Sequence, residues 1–153
     1  MRLYLDTNII PGWFKKMMQK ERKGEEFKIP RVIKFVTSQK EFDLILSDLT
    51  KVEITRYLIS EWGCDPKFAE KTWNDFMQSF DITYIRGEID IDDLLSIVQN
   101  VPTKKKTLVN LLHLQIAKRY NLWFLTGEEK LADKYEEYYR KIITYKELRQ
   151  RFS

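Results

Sequence analysis

Asp6 follows the apolar run Leu3-Tyr4-Leu5 and precedes Thr7 and Asn8, so its carboxylate falls at a strand end with polar groups beside it to orient it. The same placement suits an ordinary helix N-cap. Glu53 stands four residues from Leu49 and four from Tyr57, which sets it on the border of a helix's apolar stripe and away from the solvent face. A glutamate there can also flank the core with only its tip in water. Asn110 shares a helical face with Leu114 and Ala117, and an amide turned inward needs partners, as a core asparagine or as part of a site. Glu128 comes directly after Thr126-Gly127, where glycine permits a close turn, and a carboxylate there equally suits a first helical turn. Gathered in one cleft, such oxygen donors can hold a divalent cation, and a cation so held activates water. His113, the single histidine, lies one turn beyond Asn110; helical spacing is read as turning it toward neighbouring packing, with no acid–base role.

For these groups to meet, the chain between them must alternate strands and helices. Residues 2–5 read as a strand, and residues 9–23 as a helix through Ile10, Trp13, Phe14, Met17 and Met18. Pro30 opens a helix to about residue 39, and residues 42–47 form the next strand. Ser47, Asp48 and Thr50 supply capping groups for a helix to about residue 62, with Leu49, Val52, Ile54, Tyr57 and Leu58 on its apolar side and Gly63 as its stop. Asp65-Pro66 begins another helix; residues 82–85 are strand, 90–101 helix, 107–120 the strongest amphipathic run, and 122–125 strand. A short helix over 128–135, a strand near 142–143 and a terminal helix from Tyr145 complete the pattern. Right-handed crossovers then predict a three-layer α/β/α sandwich with a central, mostly parallel sheet, whose sites gather at the carboxyl ends of the strands.

With 153 residues, 43% hydrophobic and 14% aromatic, the chain is read as one folded domain over residues 1–153. A lone Cys64 excludes an intramolecular disulfide framework and a zinc site built on several cysteines. No apolar run is long enough to span a bilayer, and MRLYLDTN turns polar too early for a signal peptide, so the expected setting is cytoplasmic. A formal charge of +4 does not by itself identify a nucleic-acid binder. If the acids are spent in one cleft, however, the remaining surface is more basic than that figure suggests.

The order LYLDTNII at residues 3–10, SDLTKVEITRYL at 47–58, NLLHLQIAKRYNLWFLTGEEKL at 110–131 and IITYKEL at 142–148 resembles the PIN domain, the metal-dependent ribonuclease fold of VapC-type toxins. The resemblance runs over nearly the whole chain and rests on the order and spacing of short motifs. It implies an endoribonuclease using Mg²⁺ or Mn²⁺, with Asp6 and Glu53 at the first two acidic positions, Asn110 where a third acid usually stands, and Glu128 for the usual Asp after Thr-Gly. Asp6, Glu53 and Glu128 would be the metal ligands, with Thr7, Asn8 and Thr126 as supporting polar groups. Two departures stand out: Glu128 lengthens the arm by a methylene, and Asn110 removes a negative charge.

The resemblance further implies RNA as substrate, a homodimer, and an antitoxin protein covering the cleft. Lys15, Lys16, Arg31 and Lys34, on the two helices that follow Asp6, are candidate RNA contacts. Trp13 and Phe14 have the chemistry to stack bases, but their spacing suits packing better. The rival reading is a PIN-like module that has lost catalysis and keeps RNA or protein contacts, for which Asn110 is the direct support. A phospho-accepting domain is weaker, since Asp6 has Leu5 and Thr7 as neighbours where such sites pair acids.

Overall fold

The computed structural model describes residues 1–152. Alternation along the strands decides which layer each side chain enters. In β1 (Arg2–Leu5), Leu3 and Leu5 point to one core and Tyr4 to the other; in β2 (Asp43–Ser47), Leu44 and Leu46 divide from Ile45 in the same way. β3 (Thr83–Ile85), β4 (Trp123–Thr126) and β5 (Ile142–Thr144) complete an all-parallel sheet of order β3-β2-β1-β4-β5. Parallel strands require crossovers, and the helices that make them cover both faces. The chain is thus an α/β sandwich of PIN-like topology, with β1 at the centre of the sheet.

One face carries α1 (Pro11–Lys23), α2 (Arg31–Ser38), α4 (Pro66–Ser79) and α8 (Tyr145–Phe152), packed through Trp13, Phe14, Ile33, Val36, Trp73, Phe76 and Leu148. The other carries α5 (Ile91–Asn100), α6 (Lys105–Arg119) and α7 (Leu131–Tyr135), packed through Ile97, Leu111, Leu114, Ile116 and Leu131. α3 (Asp48–Arg56) follows β2 directly and continues as a π-helical turn over Tyr57–Glu61. Its start is capped by Ser47, whose Oγ accepts from the Thr50 amide at 3.4 Å.

Each strand and helix expected from the sequence is present with its ends shifted by up to three residues. Some details differ. Val52, expected on the apolar side of its helix, and Leu108, an apolar residue of the run over 107–120 expected to be the most amphipathic, are 65% and 38% exposed, because α3 and α6 bury narrower stripes than their hydropathy suggests. Gly63 does lie in the left-handed region, φ 65°, and lets the chain turn into α4. Gly87 carries no comparable mark in the sequence, yet a Cβ there would stand 2.5 Å from Ile116 Cδ1 and 3.1 Å from Asp48 Oδ1, so any larger residue between α3 and α6 would force the Ile116 side chain to move. Trp13 is closed in by Phe14, Phe27, Phe76 and Phe80 at ring distances of 5.0–6.3 Å, so it is core and not a base-stacking surface.

Candidate active site

The carboxyl end of β1 is where the two helical layers meet, and it gathers the polar groups. Asp6 is buried, with 2% of its surface exposed. The cap role is not the one it plays: Asp6 precedes the 3-10 turn Thr7–Ile9, but its side chain makes no capping bond. Instead Thr126 Oγ1, at the end of the neighbouring strand β4, donates to Asp6 Oδ2 at 2.8 Å. The same hydroxyl oxygen accepts from the Glu128 amide at 3.1 Å, so one threonine ties the first acid to the turn that carries the last. Asn8 Oδ1 accepts from the Gly127 amide at 3.4 Å and holds the two strand ends together.

Glu53 reaches this edge from α3. Its Oε1 accepts from Thr7 Oγ1 at 2.7 Å and from His113 Nε2. A carboxylate oxygen can only accept, so Nε2 carries a proton. On the far side of the ring, Nδ1 lies 2.6 Å from the Tyr4 hydroxyl, which is also 2.6 Å from Ser47 Oγ. Ser47, Tyr4, His113, Glu53 and Thr7 thus form one hydrogen-bonded line, in which His113 is fully buried. Asn110 Nδ2 donates to both oxygens of Glu128 at 3.1 Å.

His113 corrects the sequence reading. Residues three apart on a helix are neighbours on one face, so His113 does not turn away from Asn110; both point to the same edge and each grips a different acid. The signal lies in that spacing and in the closeness of a polar pair within an otherwise apolar stretch. Gly127 corrects it in the opposite sense. A Cβ there would meet nothing closer than Asn8 Oδ1 at 3.8 Å, so the Thr126-Gly127 turn does not depend on glycine. Glu128 also precedes α7 and is exposed in the connecting turn.

Electrostatics couples the acids. Burial, first of all, pushes the Asp6 carboxyl up to about 6; His113 and the Thr126 hydrogen bond pull it down, while Glu128 and Glu53 push it further up. For Glu53 burial also acts upward, but the hydrogen bond and charge of His113, with Thr7 and Arg56, outweigh it and hold this carboxyl below its usual range. Two acids at one edge therefore have oppositely shifted proton affinities, one raised by burial and one lowered by its partner.

Among the described residues no three His, Cys, Asp or Glu side chains are grouped as a ready-made metal cage. The reason is visible in the bonds: Glu53 is turned onto His113 and Thr7, and Glu128 onto Asn110. The donor chemistry nonetheless fits a hard cation. Mg²⁺ is commonly held by one or two carboxylates together with substrate phosphates, and Asp6 is a buried carboxyl whose negative neighbours favour added positive charge.

The candidate RNA contacts are spread more widely. Lys15 and Lys16 are exposed on α1, while Arg31 and Lys34 line a depression between α2 and α8. Cys64 is buried, and no helix is long and apolar enough to cross a membrane among the described residues.

An open, all-parallel sheet of order 3-2-1-4-5 flanked by helices is PIN-like in fold. A search of solved structures agrees: the chain superposes on a chain of VapBC2 from Rickettsia felis, crystallised bound to a DNA fragment from its promoter, with a TM-score of 0.51 over 94% of this chain and 98% of that one. At 14% identity the likeness is one of fold. No family model matches the sequence, and no curated protein matches it.

Proposed function

We propose that this protein is an endoribonuclease dependent on Mg²⁺ or Mn²⁺, hydrolysing RNA phosphodiester bonds at the carboxyl end of β1. The observation that carries the reading is Asp6: a buried carboxyl with no capping role, raised by burial and by Glu128 and Glu53, at the central strand end of a PIN-like sheet. Asp6 and Glu128, with Glu53, are the residues that would hold the metal, and a metal there supplies an activated water and offsets charge on the phosphoryl oxygens. The protein's own contribution is positional. Thr126 fixes the Asp6 carboxylate, Thr7 and His113 fix one Glu53 oxygen and leave the other uncommitted to them, and Asn8 joins the strand ends. No side-chain nucleophile is needed.

Asn110 favours a second reading. Its amide, standing where the resemblance places a third acid, donates to both Glu128 oxygens and so engages a proposed metal ligand with a neutral side chain, which suits a non-catalytic RNA- or protein-binding module. Incubating the protein with a labelled single-stranded RNA and Mn²⁺ separates the two. Cleavage that is lost in Asp6→Asn supports the nuclease; RNA binding without cleavage at any metal concentration supports the module. A homodimer, and a partner protein covering the cleft as the antitoxin of a VapC-type toxin does, belong to the same proposal; a cytoplasmic setting goes with it.

A further inference from the structure

α2 and α8 lie side by side on one face of the sheet, with their positive charges facing each other. On α2, Arg31, Lys34 and Ser38 recur at spacings of three and four and so share a face; on α8, Tyr145 and Arg149 do the same. Between them is a depression of about 280 Å³ lined by Arg31, Lys34, Phe35, Ser38, Tyr145 and Arg149. A second depression beside it is lined by Tyr145, Lys146, Arg149 and Gln150. The floor of the first is aromatic: the Phe35 and Tyr145 rings meet edge-on at 5.9 Å, and the Arg149 guanidinium stands 5.8 Å from the centre of the Tyr145 ring.

No acid lines this groove. Arg31, Lys34, Lys146 and Arg149 share with most lysines and arginines among the described residues the lack of a carboxylate within 4.0 Å; what sets Arg31, Lys34 and Arg149 apart is that all three line one depression with an aromatic pair. The acid in the first turn of α8, Glu147, is turned back: its amide donates to Thr144 Oγ1 at 3.1 Å, and its carboxylate accepts from the same hydroxyl at 3.0 Å. Facing cations with no counter-charge repel one another, and a polyanion laid between them removes that repulsion.

The helix that forms one wall of the groove begins two strands from the candidate site. Tyr145 directly follows Thr144, which pairs in register with Thr126, the residue that holds Asp6. Strands lie ~4.8 Å apart, so the end of β5 is two strands, about 10 Å, from the end of β1. Resting on the nuclease reading above, we infer that the groove between α2 and α8 binds the phosphodiester backbone of single-stranded RNA, with Arg31, Lys34 and Arg149 on phosphates and Tyr145 beneath a base. Cations that track a backbone, with an aromatic ring among them, are the means by which single strands are held without sequence preference.

The test is fluorescence anisotropy of a labelled single-stranded RNA oligonucleotide on the full chain in EDTA, repeated over a range of KCl concentrations. The triple variant Arg31→Gln/Lys34→Gln/Arg149→Gln is compared with Lys20→Gln/Lys67→Gln/Lys71→Gln, which removes the same charge from exposed positions of α1 and α4. Removing one phosphate-binding cation flattens the slope of log K against log salt by about 0.7, so the groove variant is expected to lose about 2 in slope and at least tenfold in affinity at low salt. The control should stay within about twofold of the parent chain, since it changes only net charge. Equal losses in both variants, or an unchanged slope in the groove variant, overturn the proposal; so does loss of duplex DNA binding with RNA binding intact. Cleavage is scored separately with Mn²⁺. A parent chain that cleaves while the groove variant binds RNA normally refutes the groove alone. A parent chain that never cleaves, with RNA binding lost in the groove variant, refutes the nuclease alone.

Discussion

Replacing His113 by leucine tests whether the buried histidine holds the acid beside it. The substitution keeps a side chain of similar size in the core, so the cavity contribution is small. It removes one hydrogen bond to the Tyr4 hydroxyl and one to the Glu53 carboxylate. The first is worth about 1 kcal/mol and the second about 1.5–3 kcal/mol, for a total near 3 kcal/mol at pH 7. Part of that cost depends on pH. The Glu53 carboxyl is lowered from its ordinary 4.5 in the folded state, so its stabilisation is present above that value and is lost as pH falls through the lower, folded value. Urea unfolding of both proteins in EDTA, from pH 7 down to pH 3.5, should therefore show a difference of about 3 kcal/mol that shrinks toward the Tyr4 part, ~1 kcal/mol, in acid. A double-mutant cycle with Tyr4→Phe should couple by about 1 kcal/mol, since both changes delete the same bond. A difference below 1 kcal/mol at pH 7, or one that is the same at every pH, would refute the reasoning and return His113 to simple packing.

Asp6→Asn should stabilise the metal-free protein. The buried carboxyl binds its proton more tightly folded than unfolded, so stability is lost as pH rises from 3.8 through about 6. The amide escapes that loss, which by linkage amounts to about 3 kcal/mol at pH 8 and only about 0.5 kcal/mol at pH 4; thermal unfolding in EDTA at the two pH values checks this, and no gain at pH 8 would contradict it. Asn110→Asp places a carboxylate against both Glu128 oxygens, so the variant should lose about 1 kcal/mol in EDTA and bind Mn²⁺ about tenfold more tightly by calorimetry; an unchanged affinity would put position 110 out of reach of the metal. Gly87→Ala drives a methyl into Ile116 and within 3.1 Å of Asp48 Oδ1, and should cost ~1–3 kcal/mol in urea unfolding, whereas Gly127→Ala should be neutral within about 0.5 kcal/mol.

Much of the fold is legible in the sequence because each element is marked locally. Pro66 opens a helix, Ser47 caps one, Gly63 ends a turn, and alternation along β1 and β2 divides two cores. Topology follows from the alternation of strands with helices, since a parallel sheet has few permitted windings. The exposed Val52 and Leu108 show the limit of such reading: hydropathy names the side chains able to face a core, and the neighbouring layer decides how many do.

The acids stand at strand ends and stripe borders in the sequence, where cap and surface roles suit each of them equally well, and it is the resemblance that groups them as one proposed site. Which partner each one takes is not legible there. Glu53 arrives from one helical layer and His113 from the other, 60 residues apart, and only the packing of both layers over β1 sets them in contact. Glu128 meets Asn110 across 18 residues for the same reason. Hydrogen bonding is a matter of a few tenths of an ångström and of direction, whereas the pattern in a sequence resolves no more than a face. The local chemistry of the chain thus determined the layers and the strand edge on which its acids lie; the tertiary structure alone decided that a histidine holds one of them, an amide another, and that three cations with no counter-charge line the groove between α2 and α8.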